Sequence, residues 1–316
     1  MLQIGFDVGG SNIAVGVVDD DMRIVARRSA PFPTGEPYSH TVGIMAGFVR
    51  ALAKECGVDA RAFQSIGIAV PGNISSDEAS VVHAYNLQFH HVPLRAAMQS
   101  HFPSVPVYLG NDADVAAVAE LYAGAFKGRQ TAVLITLGTG IGGGLIVGGR
   151  MFKGGRKNGV ELGHMVLAHN GPMCTCGTRG CVEALCTATW LTRQGRISVI
   201  EYPKAMISTK AGGDMNRVSA RLVIDCAKAG DAIAGDIFAR YVDQLGSALA
   251  SVANLIDPEV IALGGGVSLA GEFLFAPLRE NTLMKCFFDT CGDIVPAQMG
   301  NDAGIIGAAM LQRQSG

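Results

Sequence analysis

Leu2-Gln3-Ile4-Gly5-Phe6-Asp7-Val8 runs straight into Gly9-Gly10-Ser11-Asn12, and a second apolar run, Ile13 to Val18, answers it. Two apolar runs around a glycine turn predict neighbouring strands joined by a tight reversal. Asp19-Asp20-Asp21 closes the second strand and Ile24-Val25-Ala26 supplies a third, so the opening reads as a β-meander. The theme then returns. Ala132-Val133-Leu134-Ile135-Thr136 reads as a strand, Gly138-Thr139-Gly140 as a turn, and Gly144-Leu145-Ile146-Val147 as the answering strand. Asp7-Val8-Gly9-Gly10-Ser11 lies over Thr136-Leu137-Gly138-Thr139-Gly140 without a gap. A pair of such repeats about 130 residues apart is too sparse for a solenoid and predicts two similar α/β domains facing one cleft.

Residues 40–56 place Val42, Met45, Phe48, Val49 and Leu52 at helical spacing. Ile66 to Val70 reads as a buried strand halted by Pro71-Gly72, and Val105 to Leu109 as another. Asn111-Asp112 then opens an alanine-rich helix through Tyr122. Gly195 to Asn216 is polar and carries no clear period. Helices are predicted over Ala220 to Ala229 and Gly235 to Leu255, then a strand over Val260 to Leu263 that enters Gly264-Gly265-Gly266. Ala303 to Gln312 reads as a last, small-residue helix.

Hydrophobic residues make up 49% and charged residues 16% of the 316, a balance that excludes extensive disorder. A formal net charge of -2, with no run of Lys or Arg, speaks against nucleic acid as a partner. No apolar stretch approaches the roughly 20 residues of a membrane span. The first residues pass into a strand without a charged-then-apolar leader, so the expectation is a cytoplasmic protein. Of eight cysteines, Cys174, Cys176 and Cys181 crowd into one segment, which points to metal before disulfides.

Glycine turns let backbone N–H groups approach a ligand, and such concavities bind phosphate oxygens. Gly9-Gly10-Ser11, Gly138-Thr139-Gly140 and Gly264-Gly265-Gly266 are candidates, although any one alone reads first as a tight turn. Neither the P-loop nor the dinucleotide fingerprint is present. Glu161-Leu162-Gly163-His164 precedes Cys174-Thr175-Cys176-Gly177-Thr178-Arg179-Gly180-Cys181. One imidazole and three thiolates make a tetrahedral zinc set with no open position, and Gly177 and Gly180 would let the loop turn back around the ion. Three reduced thiols on a flexible loop are the alternative. Asn111 and Asp112 fit a helix N-cap as well as a site. Asp7, at the end of an apolar strand beside a glycine turn, is costly to bury without a cation or donors nearby.

Asp7 to Asn12, taken with Leu137-Gly138-Thr139-Gly140-Ile141-Gly142-Gly143-Gly144, resembles the two phosphate motifs of the actin–hexokinase superfold. More narrowly, the chain resembles the ROK family (repressors, open reading frames and kinases), especially its glucokinase-type members, from Gly5 to Ala309. The resemblance implies two ribonuclease-H-like domains: residues 1–112 completed by 301–316, and 113–300 with the zinc loop. It implies ATP-dependent phosphorylation of a hexose 6-hydroxyl, glucose first, with N-acetylmannosamine, N-acetylglucosamine, fructose or allose as alternatives. It makes Asp112 the catalytic base and puts Asn86, Asn111, Asp112, Glu161, His164 and Glu183 around the sugar. Asp7, Gly9, Gly10, Ser11 and Asn12, with Gly138, Thr139 and Gly140 and with Gly264, Gly265 and Gly266, would handle nucleotide and Mg2+. The spacing after Gly163-His164 is also that of the family's structural zinc, with His164, Cys174, Cys176 and Cys181 as ligands. A homodimer is implied. A sugar-sensing repressor is the distant alternative, but its helix-turn-helix module has no place before Asp7. Ala184-Leu185-Cys186-Thr187 and the neighbours of Asn86, Tyr85 and Leu87-Gln88-Phe89-His90-His91, depart from the family pattern. Those changes bear on which hexose is taken and leave phosphoryl transfer intact.

Overall fold

The computed structural model describes residues 1–157 and 159–314. Residues 158, 315 and 316, which fall in the expected ranges 113–300 and 301–316, lie outside the described residues. In chain order the first elements are β1 Gln3–Val8, β2 Asn12–Val18, β3 Ile24–Pro31, α1 Tyr38–Glu55, β4 Ile66–Val70, β5 Asn73–Ile74, β6 Val81–Ala84, β7 Phe89–Val92, α2 Leu94–His101, β8 Val107–Asn111 and α3 Asp112–Ala123. There follow β9 Ala132–Leu137, β10 Ile141–Val147, β11 Arg150–Met151, α4 Val182–Cys186, α5 Ala188–Glu201, α6 Met206–Lys210, α7 Ala220–Lys228, α8 Ala232–Ile256, β12 Val260–Gly264, α9 Glu272–Lys285, β13 Asp293–Pro296 and α10 Ala303–Met310.

Two five-stranded sheets carry the fold, in the orders β3-β2-β1-β4-β8 and β11-β10-β9-β12-β13. Numbered within each copy the order is the same, so the repeat seen in the glycine turns extends to the topology. β1 pairs antiparallel with β2 and parallel with β4, and β4 runs parallel to β8. In the second sheet β12 runs parallel to both β9 and β13. A third, three-stranded sheet joins β5, β6 and β7.

Two compact units emerge. The first comprises Met1–Gln130, Gly144–Val160 and Gln298–Gly316, so α3 falls within it; the second comprises Thr131–Gly143 and Glu161–Ala297. The core of the first unit stacks Ile4, Phe6, Ile66 and Ile68 of the sheet against Val42, Met45, Val49 and Leu52 of α1. Its other face takes α10. That helix lies so close that a methyl group on Gly5 would overlap the Ile305 carbonyl, and one on Gly67 the carbonyl of Ala308. Glu120, buried on α3, accepts the N–H groups of Gln298 and Met299, both at 2.8 Å, and that of Ala125.

In the second unit α8 buries Tyr241, Leu245 and Leu249, and the Tyr241 hydroxyl donates to the Cys186 carbonyl at 2.9 Å. The unpatterned stretch Gly195 to Asn216 is helical over much of its length: α5 extends to Glu201, α6 follows, and a short 3-10 turn spans Met215–Arg217. Its period is masked because polar residues are buried there. Ser198 donates to the Gly195 carbonyl and Ser208 to the Tyr202 carbonyl, both at 2.7 Å, so their hydroxyls are satisfied inside the unit. Among the described residues no helix is long and apolar enough to cross a membrane.

Candidate active site

In the first unit the parallel strands β1, β4 and β8 end at one edge of the sheet. Register puts Asp7 beside Ala69, Ala69 beside Gly110, and Val70 beside Asn111. The carboxyl edge of parallel strands is where open α/β sheets bind ligands. The glycine turn opens there too. Gly9 N–H closes it on the Asn12 carbonyl at 2.8 Å. Gly10 packs on the turn that holds Asn86, where a methyl group would stand 3.0 Å from the Asn86 Cβ.

Asn111 is the N-cap of α3. Its Oδ1 accepts from Ala113 N–H at 2.9 Å and from Asp114 N–H at 3.4 Å, and its Nδ2 donates to the Gly72 carbonyl at 2.9 Å. The capping role is therefore real, and the second N–H of the amide is what it has left for a ligand. Asp112 is the first residue of the helix, exposed, with one oxygen accepting Ala113 N–H at 2.8 Å. Position and charge both suit it: a helix N-terminus stabilises the anion, and exposure lets it meet a hydroxyl.

Asp7 is partly buried, and burial alone pushes its carboxyl above the ordinary 3.8. It sits against the start of α10, where a side chain at Gly304 would overlap it. It also lines a polar recess of about 860 Å³ together with Asn12, Arg27, Arg28 and Asn301. A carboxylate in such a recess can serve Mg2+, since that ion needs one or two carboxylates and keeps its waters. Arg27, paired with Asp302 at 2.7 Å, and Arg28 were not found by sequence reasoning. They sit on β3, a mostly exposed strand whose sequence carries no sign of a site.

In the second unit the turn Gly138-Thr139-Gly140 is tied on three sides. Gly138 N–H closes on the Gly140 carbonyl at 3.1 Å, Ala188 N–H donates to the Gly138 carbonyl at 2.8 Å, and the Thr189 hydroxyl to the Thr139 carbonyl at 3.1 Å. Gly265, with φ +83°, packs its backbone on Leu137, and Val267 N–H donates to the Leu137 carbonyl at 3.2 Å. Thus two of the three predicted glycine turns, at 138–140 and 264–266, meet in this unit. Thr189 escaped sequence reasoning because only its tertiary contact singles it out.

Glu183 stands between that turn and the cysteine loop. Its Oε2 accepts Ile141 N–H at 3.0 Å, and its Oε1 accepts the Thr175 hydroxyl at 3.0 Å and the Cys174 thiol at 3.6 Å. Glu161 is exposed, and its carbonyl accepts His164 N–H at 3.1 Å. The donor atoms of His164, Cys174, Cys176 and Cys181 all lie within 4.8 Å of one another. His164 Nδ1 faces Cys174 Sγ at 3.7 Å, and Cys176 and Cys181 Sγ are also 3.7 Å apart. Tetrahedral ligands on bonds of about 2.0–2.3 Å stand at nearly those separations. Gly180, with φ +75°, would overlap the Ala168 carbonyl with any side chain, so the loop turns back as its glycines predict. The backbone N–H of Thr178 holds the Cys176 thiol down to about 7, while burial pushes Cys181 up to about 12. This group can hold a metal, and Nδ1 is the nitrogen that faces it.

Residues 3–315 match the ROK family. A glucokinase from Thermotoga maritima is 35% identical over 315 residues, 98% of this chain and 97% of the relative. Among solved structures, a ROK family glucokinase from Streptomyces griseus in complex with glucose and AMPPNP is 31% identical, covers 100% of both chains and gives a TM-score of 0.80. A ROK hexokinase from Thermus thermophilus, also 31% identical, covers 100% of both with a TM-score of 0.85. The expected α/β architecture of the actin–hexokinase type is borne out by these likenesses.

Proposed function

The chain belongs to the ROK family, and on that premise we propose that it is an ATP-dependent hexokinase whose substrate is glucose. Relatives that are glucokinases along nearly their whole length support the activity. The observation that carries the mechanism is Asp112 in the first turn of α3, at the edge where β1, β4 and β8 end. Its carboxylate aims the sugar 6-hydroxyl and accepts the proton as the oxygen bonds to the γ-phosphorus. The bond from phosphorus to the bridging oxygen breaks, and ADP leaves. The transition state is loose, so positioning and charge count for more than basicity.

The N–H groups of the turns at Gly9-Gly10-Ser11, with Asn12, and at Gly138-Thr139-Gly140 are assigned to phosphate oxygens, and Gly264-Gly265-Gly266 to the nucleoside side. Asp7 would hold Mg2+, which neutralises phosphate charge when bound. Hexose contacts are assigned to Asn86, Asn111, Glu161, His164 and Glu183. Zinc on His164, Cys174, Cys176 and Cys181 would be structural, fixing the imidazole so that its other nitrogen is a directed donor. Metal analysis should find one zinc per chain, lost in Cys181→Ser. A cytoplasmic homodimer is part of the same reading, and a purely monomeric sedimentation profile would remove it.

The test is Asp112→Asn with glucose and MgATP, followed by coupled ADP detection. Loss of a positioned base is expected to lower kcat about 10²- to 10⁴-fold. Turnover near the parent level would sink the assignment. A screen with N-acetylmannosamine, N-acetylglucosamine, fructose and allose settles the sugar.

A further inference from the structure

The small β5-β6-β7 sheet carries imidazoles that phosphoryl transfer does not use. His83 and His90 stand opposite each other in the register of β6 and β7, and their Nδ1 atoms are 3.4 Å apart. His91 follows with a left-handed φ of +49°, a conformation uncommon for residues with a side chain. That rotation interrupts the alternation of the strand, so His90 and His91 are both exposed between buried Phe89 and Val92. Both rings flank His83, with centroids at 5.6 Å for His90 and 5.7 Å for His91. Tyr85, 78% exposed, lies parallel to the His83 ring with centroids 6.0 Å apart.

The nitrogen separation decides what this cluster suits. At 3.4 Å it is a long hydrogen bond, beyond the roughly 2.7–3.2 Å of the usual N–H range. Two metal–nitrogen bonds of about 2.0–2.1 Å at a tetrahedral angle span roughly 3.3–3.4 Å. The pair therefore already stands at the bite of one ion. We propose that His83 and His90 chelate a divalent transition cation of the kind imidazole prefers (nickel, copper or zinc), with His91 as a third donor after ring rotation and water completing the shell. The site is separate in sequence and chemistry from the thiol cluster at residues 164–181.

Its place gives it a consequence. The turn between β6 and β7 is Tyr85–Leu87, and Asn86 in that turn packs on Gly10. An ion held by His83 and His90 clips the hairpin at the base of that turn. Because it binds the folded pair and not separated strands, it raises the melting temperature.

The experiment uses full-length protein loaded with zinc and freed of excess metal, titrated calorimetrically with nickel chloride at neutral pH. One saturable nickel per chain is expected. His83→Asn and His90→Asn should each weaken it by at least the 10- to 100-fold that loss of an outer-shell partner costs. His91→Asn should weaken it less. His101→Asn, an exposed imidazole beside Arg50 in another part of the chain, should leave it unchanged. Crystals of the parent protein soaked in nickel chloride should show an anomalous peak between His83 and His90, a readout that needs no variant. No saturable binding, binding that survives when His83→Asn and His90→Asn are combined, or anomalous density confined to other residues overturns the proposal.

Discussion

The two glycine hairpins share a backbone and differ in how they treat the residue that feeds the turn. In the second, Thr136 receives Gly142 N–H on its Oγ1 at 3.2 Å, and Glu183 fastens the next strand. In the first, Asp7 occupies the matching position, and among the described residues no hydrogen bond reaches its carboxylate. Burial pushes that carboxyl up, and no cause on the other side offsets it. One copy thus closes its polar groups on itself, while the other leaves an acid to be answered by something from outside. The two sheets share one strand order, and the proposed mechanism uses the point where the two turns differ.

Asp7→Asn and Thr136→Val attack that contrast from its two sides. The first is expected to lower kcat/KM for MgATP by about 10²- to 10³-fold, as removal of a preorganised electrostatic group does. The second should lower it far less, in the same coupled assay. Equal losses would mean that the two strand ends serve the nucleotide alike, and that the asymmetry lies elsewhere.

The sheets also differ in how closely helices approach. Gly5 and Gly67 pair in the first sheet, where Leu134 and Ala262 pair in the second. Gly67→Ala drives a methyl group into the backbone of α10 and should cost about 3 kcal/mol in denaturant unfolding. Ala262→Gly only loosens a buried strand and should cost about 1 kcal/mol. Comparable costs would show that α10 can move away from its sheet.

The smallest expected effect sharpens the difference at Asp7 through pH. A carboxyl raised on folding binds protons more tightly in the native state than in the unfolded one. The native state therefore loses stability relative to the unfolded chain as pH rises from the ordinary 3.8 through the raised folded value. Melting curves of Asp7→Asn and the parent in metal-free buffer should coincide in acid and diverge upward, with the variant the more stable. A parent curve that stays level with the variant removes the claim that this acid is buried without compensation.

Much of this was legible in order along the chain. The meander, α1, β4, α3, α7, α8 and β12 fall where apolar spacing and turn residues predict them, because each is set by backbone preference and by one buried face. Asn111 announced a cap and is one. The stretch at 195–216 was not legible, since buried serines bonded to nearby carbonyls break the period on which reading depends. The sheet β5-β6-β7 and helix α9 were missed as well. The former has strands of two to four residues, and the latter carries Pro277 and a weak apolar face.

Most strands, turns and helix starts, the two copies of one hairpin, and the crowding of three cysteines are all readable along the chain. Those are consequences of φ freedom, side-chain period and short separations. Which groups meet depends on the folded chain: Glu183 with Ile141 across 42 residues, Glu120 with Gln298 across 178, and His83 with its two imidazole neighbours. A carboxylate or an imidazole carries no local sign of its partner, because hydrogen bonds and ligand bites depend on distance in space, and the fold sets that distance.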